Sequence, residues 1–96
     1  MNKEEAENLL KESRDKIDVL DEQIINLIVK RTSLAYDIAI SKKALNKELL
    51  DTSRENIIHD KINNLLDGID IDKDSVIEIF GILASMSKEE QKKYLD

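Results

Sequence analysis

The chain has 96 residues, with 15 Lys and Arg against 21 Asp and Glu and no proline, cysteine or tryptophan. That length suits one domain, 1–96, and the missing cysteine excludes disulfides, thiol nucleophiles and zinc-thiolate sites. A net charge of −6 and a pI near 4.8 argue against the basic face that nucleic acid requires. The acidic start, Met1 to Glu7, lacks the apolar run of a signal peptide, and no stretch approaches the roughly 20 apolar residues of a membrane span. A cytoplasmic protein without membrane or nucleic-acid partners is expected.

With only two glycines, Gly68 and Gly81, and no Asn-Gly turns or period-2 alternation, the sequence predicts an all-α fold. A first helix is predicted to start near Lys3 to Glu7 and to run unbroken to Lys43–Leu45, with apolar residues recurring at steps of three and four. Residues Ala44 to Leu50 read as a connection. Thr52-Ser53-Arg54-Glu55 then fits a capping box opening a second helix from about Ser53 to Leu66, with Asp51 or Thr52 as the cap. The apolar face of this helix is Ile58, Ile62, Leu65 and Leu66, and Asp67-Gly68 is a plausible stop. A third helix begins after Asp70 or Asp72, carries Val76, Ile79, Phe80, Leu83 and Met86, and fades in Lys92-Lys93-Tyr94. Asp67, Asp70, Asp72 and Asp74 lack the loop glycine and terminal glutamate of a calcium loop, so capping is the better account and no metal is expected.

About 40 helical residues span roughly 60 Å, against a radius of gyration of roughly 13 Å for a compact domain of this size. Two shorter helices cannot cover that length, so an intertwined homodimer is predicted.

The first helix carries the seam Leu10, Arg14, Ile17, Asp21, Ile24, Ile28, Arg31, Ala35, Ile38, Lys42, in which three cations occupy positions expected to be apolar. Such cations either snorkel to water and pair with carboxylates, or converge on an anion. Arg31 and Lys42 stand nearly three turns apart, about 16 Å along the axis, and can reach one small ligand; Arg14 is roughly 25 Å from Arg31 and could serve that ligand only from a partner chain. On the third helix the seam through Phe80 and Leu83 continues to Ser87 and Gln91, which is either a second polar site face or ordinary fading of the helix end. Arg54 at a helix start is not explained by capping, because its charge opposes the helix dipole. His59, the single histidine, lies on a mostly polar face without a nucleophile or metal-ligand spacing and reads as a surface residue.

The ordered set Arg14-Asp-Lys-Ile-Asp18, Leu20-Asp21-Glu22-Gln23, Leu27-Ile-Val-Lys-Arg31, Lys42, Asp51-Thr-Ser-Arg54-Glu55, and Ser87 with Gln91 resembles the all-helical chorismate mutases over nearly the whole chain, Leu10 to Leu95. The resemblance implies an intertwined dimer of three-helix protomers that converts chorismate to prephenate, without cofactor, in the shikimate route to phenylalanine and tyrosine. It implies that Arg14 enters the site of the other chain, while Arg31, Lys42, Asp51, Arg54, Glu55, Ser87 and Gln91 line their own. Lys42 and Gln91 would be the catalytic donors to the ether oxygen, and the other residues would bind substrate. The same fold also suits an isochorismate pyruvate-lyase, and a non-catalytic helical dimerisation module is the alternative from a different class; the acidic pair Asp51 and Glu55 beside Arg54 favours the mutase.

Overall fold

Nothing in the first 44 residues strongly opposes helix, and the chain is helical from Lys3 to Ala44 apart from one position. The computed structural model describes residues 1–95, arranged as α1 (Lys3–Ser33), α2 (Ala35–Ala44), α3 (Thr52–Leu65) and α4 (Lys73–Lys92). The start of α1 is fixed by a reciprocal pair: Asn2 Oδ1 accepts from the Glu5 amide at 2.8 Å, and its Nδ2 donates to Glu5 Oε1 at 3.1 Å. The predicted unbroken first helix is corrected at Leu34. Its amide donates to the Arg31 carbonyl at 3.3 Å, a tighter i to i−3 bond, while its backbone stays right-handed (φ −72, ψ −11). Thr32 and Ser33 precede it, both weak helix formers whose hydroxyls compete for backbone carbonyls.

The chain divides into two compact units, Met1–Lys30 and the remainder from Arg31 onward. In the first, α1 buries none of its residues, and Leu10, Ile17, Leu20, Ile24 and Leu27 all stand exposed. That apolar stripe has no cover within its own unit.

In the second unit, α2 and α3 both pack on α4. Ala35 and Ala39 are fully buried (0% exposed) on α2, side chains small enough to let two helix backbones approach. Ile62 is the buried residue of α3, with Ile58 and Leu66 half-buried and Leu65 exposed. On α4 the half-buried apolar face is Val76, Ile77, Phe80, Leu83 and Ala84, whereas Ile79 and Met86, expected on it, are exposed. The rings of Tyr36 and Tyr94 meet edge to face at 4.9 Å between centroids, joining α2 to the residues after α4.

The connections are built from helix ends. After α2, the Lys47 amide donates to the Lys42 carbonyl (2.7 Å) and the Asn46 amide to the Lys43 carbonyl (3.2 Å), with Asn46 left-handed at φ 57. This is the Schellman arrangement, and asparagine tolerates the conformation it demands. Gly68 is also left-handed, at φ 74, in the turn after α3 that the Ile69 amide closes on the Leu66 carbonyl at 3.0 Å. The cap of α3 is Asp51, whose Oδ1 accepts from the Arg54 amide at 3.0 Å; Thr52 is already helical, and Glu55 does not close a capping box but pairs elsewhere. Of the two aspartates expected to cap the last helix, Asp72 does so. Among the described residues no group of three His, Asp or Glu side chains could hold a metal ion, and no helix is long and apolar enough to cross a membrane.

Asp72 accepts from the Ser75 hydroxyl at 2.6 Å and from its amide at 3.3 Å, and these bonds hold its carboxyl below the ordinary value of 3.8. The folded chain therefore binds this proton less readily than the unfolded one. The cap contributes fully above about pH 4 and is lost as pH falls through the lower folded value. Thermal melts are expected to place Asp72→Ala a few degrees below the parent at neutral pH, with the gap constant down to about pH 4 and shrinking in more acid solution.

Candidate active site

A charged side chain on a packed face must find a partner or a cavity, and the second unit supplies both. A cavity of about 520 Å³ opens between α2, the 45–51 connection, the first turns of α3 and the end of α4. It is lined by Arg31, Lys42, Asp51, Arg54, Glu55, Ser87 and Gln91, so seven of the eight residues singled out in the sequence meet around one space. Arg14, the eighth, belongs to the first unit, where it is exposed on α1. Lys42 rather than its neighbour Lys43 lines the cavity, as the seam requires.

Lys42 joins three segments. Its Nζ donates to the Leu49 carbonyl at 2.7 Å and to Gln91 Oε1 at 2.8 Å. An ammonium only donates, so the amide oxygen of Gln91 must face it, and Gln91 Nε2 is turned to Ser87 Oγ at 2.9 Å. Each group keeps a donor beyond these bonds: a third N–H on Lys42 and a second on the Gln91 amide. Gln91 is the buried polar residue of the unit, at 4% exposure, and no buried side-chain atom among the described residues lacks a partner. Arg31 donates from one guanidinium nitrogen to the Leu83 carbonyl at 3.1 Å, which fixes it against α4 and leaves most of its five N–H groups for a ligand.

The lining also holds residues that the sequence reading passed over, chiefly Lys47 and Lys88. Lys88 Nζ donates to Glu55 Oε1 at 2.8 Å, with the two side chains 30% and 38% exposed. A signal for it exists: Ile77, Ala84, Lys88 and Gln91 recur at helical spacing, so Lys88 interrupts the inner face of α4 as Lys42 interrupts that of α2.

Five cations (Arg31, Lys42, Lys47, Arg54, Lys88) face three carboxylates (Asp37, Asp51, Glu55) around the cavity, a local charge of +2 in a chain of −6. The larger cavity, about 680 Å³, is lined by Glu78, Glu89 and Glu90 with no cation and would repel an anion. A third, about 290 Å³, is mostly apolar and shares Glu55, Ile58, Ala84 and Lys88 with the first. His59 is exposed and stands 3.2 Å from the Asn63 amide nitrogen.

Fold and site together define an all-helical protein with a cavity lined by arginines, lysines and one buried amide. The profile of the chorismate mutase type II family matches residues 13–92. The chorismate mutase of Methanocaldococcus jannaschii is 41% identical over 87 residues, covering 91% of this chain and 88% of that relative. Two bifunctional chorismate mutase/prephenate dehydratases of Buchnera aphidicola, from the subspecies Schizaphis graminum and Baizongia pistaciae, are each 31% identical, over 91 and 88 residues. These alignments take in 95% and 92% of this chain but 24% of each relative, so the chain spans about a quarter of the bifunctional proteins. No solved structure matches. The chain belongs to the chorismate mutase type II family.

Proposed function

We propose that this chain is a chorismate mutase, an isomerase that converts chorismate to prephenate within a homodimer whose sites are each completed by Arg14 of the partner subunit. The observation that carries the reading is the convergence of Arg31, Lys42, Arg54 and the Gln91 amide on one cavity of local charge +2. Chorismate is a dianion, and its rearrangement is unimolecular: the ether C–O bond breaks as a new C–C bond forms, with no nucleophile and no net proton transfer. What the protein must supply is a confined reactive conformer and stabilisation of the negative charge that grows on the ether oxygen.

The roles follow from the donors left over. Arg31 and Arg14 of the partner subunit bind the two carboxylates through their planar forks, with Arg54 and Ser87 assisting. Lys42 and Gln91 turn their remaining N–H groups to the ether oxygen. Both are already ordered by each other and by Leu49 and Ser87 before substrate arrives, so little reorganisation accompanies charge development. Glu55 and Asp51 accept from the ring hydroxyl. Dimerisation is supported by α1, whose exposed leucines and isoleucines would each contribute roughly 1 kcal/mol on burial against another chain. The bifunctional relatives, named for both chorismate mutase and prephenate dehydratase, favour prephenate as a product destined for aromatic amino acids.

Purified protein given chorismate is expected to consume it and form prephenate; turnover of isochorismate to pyruvate and salicylate instead would select the lyase. Because an amide does not titrate, the rate of the parent should be flat between about pH 5 and 8, whereas Gln91→Glu should lose rate as pH rises and its carboxyl ionises. Lys42→Ala should lower kcat by on the order of 10² or more, the scale of a lost oxyanion donor. Equal mixing of inactive Arg14→Ala and Lys42→Ala chains should restore about a quarter of the parental activity, since half the dimers are mixed and each regains one intact site. No recovery would assign Arg14 to its own chain's site.

A further inference from the structure

Glu55 stands on the wall shared by two cavities, the 520 Å³ site and the 290 Å³ apolar one beside it. A glutamate has three side-chain torsions, and with no partner its carboxylate could populate several directions. Lys88 Nζ takes Oε1 at 2.8 Å, which leaves Oε2 as the acceptor. The cation sits on α4 directly after Ser87 and three residues before Gln91, so the helix that presents the Gln91 amide also fixes Glu55 across from it. The helix-start role that could have explained Glu55 is absent, because Asp51 caps α3 by itself.

We propose that Lys88 is a positioning residue that holds the Glu55 carboxylate toward the ring hydroxyl of the substrate, an inference that rests on reading the cavity as the chorismate site. Lys88 reaches substrate through Glu55. The hydroxyl neither makes nor breaks a bond in the rearrangement, so a contact to it is worth nearly the same in the ground and transition states, and its loss raises KM more than it lowers kcat.

The test is a double-mutant cycle with chorismate as substrate. Lys88→Met, which keeps the length of the side chain and removes its charge, should lower kcat/KM by about tenfold, the scale of one charge-assisted hydrogen bond, with most of the change in KM. In a Glu55→Gln background the same change should have almost no further effect, since the ion pair it would remove is already lost. Lys88→Arg should recover kcat/KM to within about threefold of the parent, because the cation and its donors remain. Circular dichroism melts of the four proteins of the cycle separate folding from binding. An unchanged kcat/KM in Lys88→Met overturns the proposal. So does an equal loss in the Glu55→Gln background, which would mean that Lys88 meets a substrate carboxylate directly. A parent protein that binds or turns over no chorismate instead removes the reading of the site, and the proposal with it.

Discussion

The site depends on the ammonium of Lys42. It ties α2, the connection before α3 and the end of α4 together, through its own backbone, the Leu49 carbonyl and the Gln91 amide. The Schellman turn at Asn46 brings the chain back over the helix end by bonding the Lys47 amide to the Lys42 carbonyl, so backbone and side chain of one residue anchor the same loop. Because lysine can only donate, it also dictates which way the Gln91 amide points, and through that amide the placement of Ser87. A cation on a helical seam would ordinarily oppose folding by its desolvation. Here two oxygens accept from it, and one N–H remains.

Packing makes that geometry possible. Fully buried Ala35 and Ala39 let α2 lie close on α4, near enough for Lys42 to reach a side chain 49 residues further along the chain. A leucine at either position would hold the helices apart by the width of a side chain. The charges answer to the same confinement. A net −6 opposes the long-range approach of a dianion, yet the field at short range is set by the five cations of the cavity, and the acidic surplus is spread over the remaining surface. The carboxylates of Glu78, Glu89 and Glu90 around the larger cavity discourage an anion from occupying the wrong space.

Sequence alone made Arg31 and Lys42 conspicuous, since a cation breaking an apolar period of three and four is visible without coordinates. The all-α class, the glycine stop at Gly68 and an aspartate cap before the last helix, at Asp70 or Asp72, were legible for equally local reasons. What sequence could not settle were choices between neighbours of equal propensity. Asp51 and Thr52 are both good caps, and only the backbone entering α3 decides that Asp51 accepts from the Arg54 amide. The lapse at Leu34 turns on one hydrogen bond shifted from i−4 to i−3, a small energetic difference that the weak helix formers Thr32 and Ser33 favour without fixing where it falls. Lys88 was hidden for another reason: it heads the run Lys88 to Lys93, where a charged residue looks like the solvated end of a helix, and its partner Glu55 lies 33 residues away on another element.

The lapse at Leu34 gains meaning from what surrounds it. Arg31 provides the carbonyl that receives the Leu34 amide, while its guanidinium donates to Leu83 on α4. The tightened turn and the first cation of the cavity are thus one local feature. A regular α-helix would advance each residue by 100° and 1.5 Å past this point; a single i to i−3 bond changes that phase, and it does so between Arg31 and Lys42, two cations that line the same cavity. Their convergence is therefore set by the turn as well as by the seam, and a sequence reading that assumes an ideal helix can locate both cations without fixing the angle between them.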